Sequence, residues 1–404
     1  MKLLLVSPLS DRDAVGESWI SYQWVNRLAA RHDVTVLSYY QRTGRPLAPQ
    51  VPDARVVEWR EPPLVGRNER FNAMLKPGYL PFAWRARRWI KDALAAGERF
   101  DVAHHLSPVS LRYSSPLAGL GIPYLIGPVG GSLSSPPAFA AEEGGAPWFT
   151  GLRALDGFRL RHDPGLRRTF ADAACVLGIA GYVRDLLGDI PVRDFRVLSD
   201  IGVEELPVPA PGSDRTRGVK LLFVGRVIRT KGVRDAVRAL GLLPPGLATL
   251  DIVGEGYDRQ ACEALVAELG LGGAVTFHGR VHHEEVAGFY DAADIFFFPS
   301  YREAGGIVVV EAMSHGLPCI VCDRGGPASS VDDASGVRVP AREPVQYARE
   351  LADAVSQLAA DPVRRRELGS AARARVESIG LWDRRVEFVE ELYREAVARG
   401  GQPR

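Results

Sequence analysis

Cysteine is scarce here, with four in 404 residues. That excludes a disulfide-stapled scaffold and makes a reducing compartment the expectation. Only Cys319 and Cys322 lie close together, in the apolar run Pro318-Cys319-Ile320-Val321-Cys322. A zinc ribbon needs a second such pair, so these read as core thiols of a strand. A surplus of one charge is missing too. Fifty Lys and Arg against 49 Asp and Glu leave +1, so no overall field gathers nucleic acid. Long hydrophobic runs are also lacking. The opening MKLLLVSPLSD breaks early, short of the ~7–15 apolar residues of a signal peptide and the ~20 of a membrane span. A cytoplasmic protein is expected. Composition is otherwise that of a globular chain, 46% hydrophobic and 25% charged, and the length suggests two or three domains at roughly 150 residues each.

Short β-branched or Leu-rich runs alternate with longer stretches of helical period. In the first half the predicted strands are Leu3–Ser7, Val34–Ser38, Arg55–Trp59, Asp101–Leu106, Pro123–Ile126, Cys175–Ile179 and Phe195–Leu198. Helices are predicted between them at Glu17–Arg31, Ala83–Ala96 and Tyr182–Leu187. Residues 199–218 hold three Pro and three Gly and read as a linker. The alternation restarts with strands at Leu221–Val224, Thr249–Val253, Val275–Phe277, Ile295–Phe298 and Cys319–Cys322. Helices are predicted at 232–242, 258–269, 283–292, 344–360, 362–377 and 382–398. The expected fold is therefore α/β, with two doubly wound Rossmann-like domains facing a cleft. We place the first domain at 1–200, the linker at 201–218 and the second domain at 219–380. Residues 381–404 form a helix returning to the first domain. In such sheets ligands bind beyond the carboxyl ends of strands.

Chemistry-bearing residues stand at those places. Gly225-Arg226-Val227-Ile228-Arg229-Thr230-Lys231-Gly232 follows a strand and precedes a helix. Two or three cations there suit a diphosphate, or else form a solvated basic loop. After Ile295–Phe298 comes Ser300-Tyr301-Arg302-Glu303-Ala304-Gly305-Gly306-Ile307-Val308-Val309-Val310-Glu311. Four β-branched residues favour a strand, yet Gly305-Gly306 before them and Gly316 and Pro318 after them bracket a buried helix starting near Gly306. Its bare amides would meet phosphate oxygens. Glu303 precedes the helix, and Glu311 lies about 7–8 Å along it at ~1.5 Å per residue. Two carboxylates flanking an anion site fit the hydroxyls at the two ends of a nucleotide sugar.

These residues resemble glycosyltransferase family 4, the retaining enzymes of GT-B fold. Glu303 and Glu311 match its E-x7-E motif, and EAMSHGLPCIVCDRGGPASSVDD is similar to the stretch that follows. GRVIRTKG, IVGEGYD, FHGRV and ADIFFFPS are similar as well, in the familiar order. The resemblance implies that Arg226 and Lys231 bind the donor diphosphate, Glu303 the donor-sugar hydroxyls and Glu311 the ribose. Gly254, Gly305, Gly306, Ile307 and Val308 complete the implied donor contacts. UDP or GDP is the expected nucleotide; no cofactor and no metal are expected. Asp11-Arg12-Asp13 mimics a metal-binding D-x-D but follows the first strand too closely for that use.

The first half is more divergent. Gly127-Pro128-Val129-Gly130-Gly131-Ser132 resembles a GPVGG-type loop of one branch of the family. Asp101–Ser110 resembles the strand ending in a histidine that faces the donor sugar. Strand alternation sends His104 and His105 to opposite faces; His105 is our choice for the cleft, with His104 packed in the core. Gly16 stands alone where the family has two glycines, and with Gly130 and Gly131 it marks the expected acceptor side. Residues 67–91 hold seven cations, one acid and five aromatics. They fit either a peripheral contact with an anionic membrane or a helix that packs its Trp residues inward. Gly254-Glu255-Gly256 lacks the third glycine of a nicotinamide fingerprint, and His282-His283-Glu284 reads as a helix cap. The expected activity is transfer of a hexose from a nucleotide sugar to a glycan, lipid-linked or small-molecule hydroxyl. A nucleotide-sugar epimerase and a non-catalytic nucleotide-sugar-binding protein are the alternatives.

Overall fold

A computed structural model describes all residues except 15, 41–44, 62–77, 109, 145–153, 201, 209–213 and 401–404. The chain divides into two compact units. The first comprises Met1–Ser132, Trp148–Asp200 and Arg385–Arg404; the second comprises Leu133–Pro147 and Ile201–Arg384.

The first unit carries a seven-stranded sheet: β1 (Lys2–Leu9), β2 (Asp33–Tyr40), β3 (Ala54–Arg60), β4 (Val102–His105), β5 (Tyr124–Val129), β6 (Cys175–Gly178) and β7 (Phe195–Val197). Its order is β3-β2-β1-β4-β5-β6-β7, all parallel. Its helices are α1 (Glu17–Ala29), α2 (Tyr79–Ala95), α3 (Ala154–His162), α4 (Pro164–Ala171) and α5 (Tyr182–Leu187). The central strands β4, β5 and β6 are buried throughout, as parallel strands covered on both faces must be. The edge strands β3 and β7 are largely half-exposed or exposed. Strand β5 runs on through Gly127-Pro128-Val129, three residues past the predicted end, so the glycine loop begins only at Gly130. Helix α2 starts at Tyr79 rather than Ala83, because Tyr79 and Phe82 supply its first buried turn.

The second unit repeats the plan with six parallel strands: β8 (Val219–Val224), β9 (Ala248–Val253), β10 (Val275–Gly279), β11 (Ile295–Phe298), β12 (Cys319–Cys322) and β13 (Gly336–Val339). Their order is β10-β9-β8-β11-β12-β13, the doubly wound order in which the crevice lies where the winding reverses, here between β8 and β11. Apart from α13 (Trp382–Gly400), which from Arg385 on belongs to the first unit, the helices here are α6 (Val233–Gly241), α7 (Arg259–Glu268), α8 (His283–Ala292), α9 (Ile307–Ser314), α10 (Gly325–Ser330), α11 (Pro344–Ala360) and α12 (Pro362–Arg375). A single core binds them, and it includes Phe223, Phe296, Ile320 and Leu351. All four cysteines are buried and free. Strand β13 and helices α3, α4 and α10 have no counterpart among the predicted elements; the three helices are only six to nine residues long. Helix α12 stops at Arg375, and a π-helical turn, Val376–Gly380, follows it.

Candidate functional site

In the second unit every loop singled out in the sequence leaves the carboxyl end of a strand. Gly225 follows β8, Gly254 follows β9, Pro299 follows β11 and Asp323 follows β12. Their backbones touch. A Cβ on Gly254 would stand 1.9 Å from the Gly225 carbonyl oxygen, and one on Gly232 would stand 2.0 Å from that of Pro299. Glycine is required there for close approach and for the positive φ of 137° and 79°.

Across the reversal between β8 and β11, the Lys231 ammonium pairs with the Glu303 carboxylate. Both side chains are largely buried. Burial, and then the guanidiniums of Arg226 and Arg302, pull the Lys231 pKa down to about 7. The Glu303 carboxylate works the other way, since an opposite charge in contact favours the ammonium form. Arg226 is exposed on the same loop. Arg229, the third cation, is fully buried and pairs with Asp235 at 2.6 Å and Glu142 at 2.8 Å, so it is not available to a ligand.

Gly306, at φ 85°, caps α9 with no side-chain hydrogen bond. The first-turn amides of a helix have no partner within it, and Ile307 and Val308 occupy that turn. The four β-branched residues are helical: Val309 and Val310 drive into the core, and packing outweighs a propensity penalty of a few tenths of a kcal/mol each. Glu311, on the following turn, accepts a 3.0 Å hydrogen bond from the Tyr290 hydroxyl. Burial, and then the Glu311 charge and this bond, raise the Tyr290 pKa. Gly305 packs against Gly326, where a Cβ would stand 1.8 Å from the Gly305 carbonyl oxygen.

In the first unit the two histidines ending β4 diverge. His104 donates through Nε2 to the Gly127 carbonyl at 2.8 Å, and its Nδ1 takes the Tyr393 hydroxyl at 2.7 Å. Both nitrogens are used, and burial pushes its pKa down to about 3. His105 stacks on Tyr79 with ring centroids 6.1 Å apart. Its Nδ1 is buried without a well-formed hydrogen bond, and burial lowers its pKa to about 4. Gly16 caps α1 at φ 66° in open space. Gly130 packs on Ile179, and Gly131 exchanges hydrogen bonds with the Tyr182 hydroxyl. Among the described residues no three His, Cys, Asp or Glu gather as a metal site, and no helix is long and apolar enough to cross a membrane. Of residues 67–91, those up to 77 lie outside the described residues. Beyond them Tyr79 and Phe82 are buried, whereas Leu80 and Trp84 are 71% and 63% exposed. The tryptophans do not pack inward as that reading expected: Trp84 is exposed and Trp89 half-buried, and Tyr79 and Phe82 fill the buried face instead.

What the sequence did not reveal is the segment 133–144, which packs with the second unit although first-unit residues flank it on both sides. Its signal, the acidic pair Glu142-Glu143, reads as ordinary surface until its arginine partners are seen.

The family described as Glycosyl transferase 4-like domain matches residues 16–199, and Glycosyl transferases group 1 matches residues 212–375. The D-inositol 3-phosphate glycosyltransferase of Paenarthrobacter aurescens is 29% identical over 53% of this chain and 58% of its own. That of Streptomyces bingchenggensis is 37% identical over 33% of this chain and 28% of its own. The chain thus matches only part of the length of these curated relatives. Sucrose-phosphate synthase from Thermosynechococcus elongatus superposes with a TM-score of 0.65 at 22% identity, covering 98% of this chain and 99% of that one. HepE of Anabaena in complex with UDP-glucose gives 0.58 at 16% identity, over 99% and 100%. With both of its halves matched and both of its sheets wound alike, the chain belongs to the family 4 glycosyltransferases of GT-B fold.

Proposed function

We propose that this protein is a retaining glycosyltransferase that moves a hexose from a UDP- or GDP-linked donor to an acceptor hydroxyl. The observation that carries the reading is the Lys231–Glu303 pair, set where the second sheet reverses its winding and beside the uncapped start of α9. Arg226, Lys231 and the amides of Ile307 and Val308 take the diphosphate. Their charge is in place before the glycosidic bond breaks, which is how preorganised dipoles stabilise a leaving group. Glu303 holds the sugar hydroxyls and Glu311, braced by Tyr290, the ribose. The acceptor hydroxyl attacks from the leaving-group side. Its oxygen bonds to the anomeric carbon as the bond to phosphate breaks, and its proton passes to the departing phosphate oxygen. From the first unit we assign His105 to the reaction, as a neutral imidazole. The UDP-glucose complex of HepE supports the choice of donor class. The exposed Leu80 and Trp84, beside Arg85, Arg88 and Lys91 on α2, support a peripheral contact with anionic lipid.

A thermal-shift panel of nucleoside diphosphates and their sugars tests the donor, since a ligand of the folded state raises its stability. Lys231→Ala and Arg226→Ala should each remove one charge-assisted contact of about 1.5–3 kcal/mol, so kcat/KM falls at least ~10-fold. An α-linked donor should give an α-linked product by NMR, in EDTA as without it. A β-linked product overturns the retaining assignment.

A further inference from the structure

Arg229 lies between the two cations assigned to the diphosphate, yet its surroundings serve another purpose. It donates to both Asp235 oxygens, at 2.6 and 3.1 Å, and to Glu142 at 2.8 and 3.1 Å. Its guanidinium also lies over the rings of Phe139 and Tyr301, 5.6 and 5.3 Å from their centroids. Phe139 and Glu142 belong to the segment 133–144, contributed by the first half of the chain and packed within the second unit. We propose that this segment is a fixed wall of the donor-sugar site and that Arg229 is the positioning residue that holds it.

The segment is fastened at several points along its length. Phe139 is fully buried in the core of the second unit, 4.5 Å from Tyr301 between ring centroids. Glu143 and Ser135 Oγ both accept from Arg302, at 3.2 and 3.1 Å. The Ser134 carbonyl accepts from Arg324 at 2.8 Å. At its start, Leu133 Cδ2 is 2.9 Å from where a Cβ of Gly325 would stand, and the Glu303 carbonyl oxygen is 2.0 Å from the same point. Leu133–Ser135 therefore border the backbone of Glu303 and the guanidinium of Arg302 before it.

Two polar atoms of this contact, Glu143 Oε1 and Arg324 Nε, are buried with no hydrogen-bond partner among the described residues. Buried polar groups are normally paired, and a hydroxylated ligand against the segment can supply what they lack. The inference rests on the donor reading above. If Glu303 holds the sugar, the wall beside it meets the hexose and not the nucleotide, so it selects the sugar.

Arg229→Ala strands Asp235 without its buried partner and is a poor test, because the protein can fail to fold. The test is Glu142→Ala, which removes the Arg229 tie to the segment and leaves the Arg229–Asp235 pair intact, with Glu142→Gln as the conservative variant. Isothermal titration compares the nucleoside diphosphate that binds the wild type with the same nucleotide carrying its hexose. In the alanine variant the sugar nucleotide should bind at least tenfold more weakly while the nucleoside diphosphate changes less than twofold, and the glutamine variant should recover most of the loss. Equal changes for both ligands, or none for either, overturn the proposal. A wild type that binds no nucleotide overturns the donor reading instead.

Discussion

The two units share a parallel doubly wound plan but build their strand-end loops differently. In the second unit the loop glycines are locked backbone to backbone: Gly254 on Gly225, Gly232 on Pro299, Gly325 on Glu303. In the first unit Gly16 and Gly131 have a positive φ, with nothing within 4 Å of where a Cβ would stand. One set of loops is held by main-chain contact, the other by side chains, Ile179 against Gly130 and the Tyr182 hydroxyl on Gly131. A site whose loops interlock keeps its shape whatever residues surround it, which suits a constant ligand. Loops held by side chains can be refitted residue by residue, which suits a variable one.

Substituting glycines breaks or sharpens that contrast most strongly. Gly254→Ala forces a methyl group into the Gly225 carbonyl and should cost about 3 kcal/mol or more. Gly131→Ala meets only the φ penalty, about 1 kcal/mol. Urea denaturation measures both, and equal losses would dissolve the distinction.

The histidines of β4 come next. His104→Ala leaves the Gly127 carbonyl and the Tyr393 hydroxyl unpaired and should cost ~1–3 kcal/mol, with activity retained in the folded protein. His105→Ala should cost less and impair transfer. Loss of turnover in a well-folded His104→Ala variant alone would reverse the assignment.

Acid should weaken the first unit in a graded way. Both histidines fold with pKa values of about 3 and about 4, below their ordinary 6.5. Between those limits the unfolded chain binds protons that the folded chain refuses. Their stabilisation is complete above pH 6.5 and is lost as pH falls toward 4, at about 1.4 kcal/mol per pH unit for each histidine. Denaturation midpoints at about pH 7.5 and about pH 5, on either side of the unfolded histidine pKa, should differ less in His104→Gln than in wild type.

The smallest effect belongs to α2. Trp84→Ser with Arg88→Glu should lower co-sedimentation with anionic vesicles a few-fold and leave stability within ~0.5 kcal/mol, as exposed positions do. Binding that ignores both changes would place the lipid contact elsewhere.

Much of this was legible in the chain. Ile295–Phe298 and Cys319–Cys322 are strands to the residue, because buried parallel strands are short apolar runs ended by turn residues. The α9 helix was legible from Gly306 and Gly316 despite its β-branched run. Arg229 was not. Alone it is one more cation in a basic loop; its role depends on Glu142, 87 positions earlier, and on two rings from separate segments.

Local pattern by itself determined the alternating elements, the loops that carry Arg226, Lys231 and Glu303, the helix that carries Glu311, and the opposite facing of His104 and His105, since each follows from backbone periodicity and the demands of glycine. Tertiary structure decided which charges are free and which are consumed. Lys231 meets Glu303 and Arg229 meets Asp235 and Glu142, and those pairings depend on distances that only the folded sheet sets.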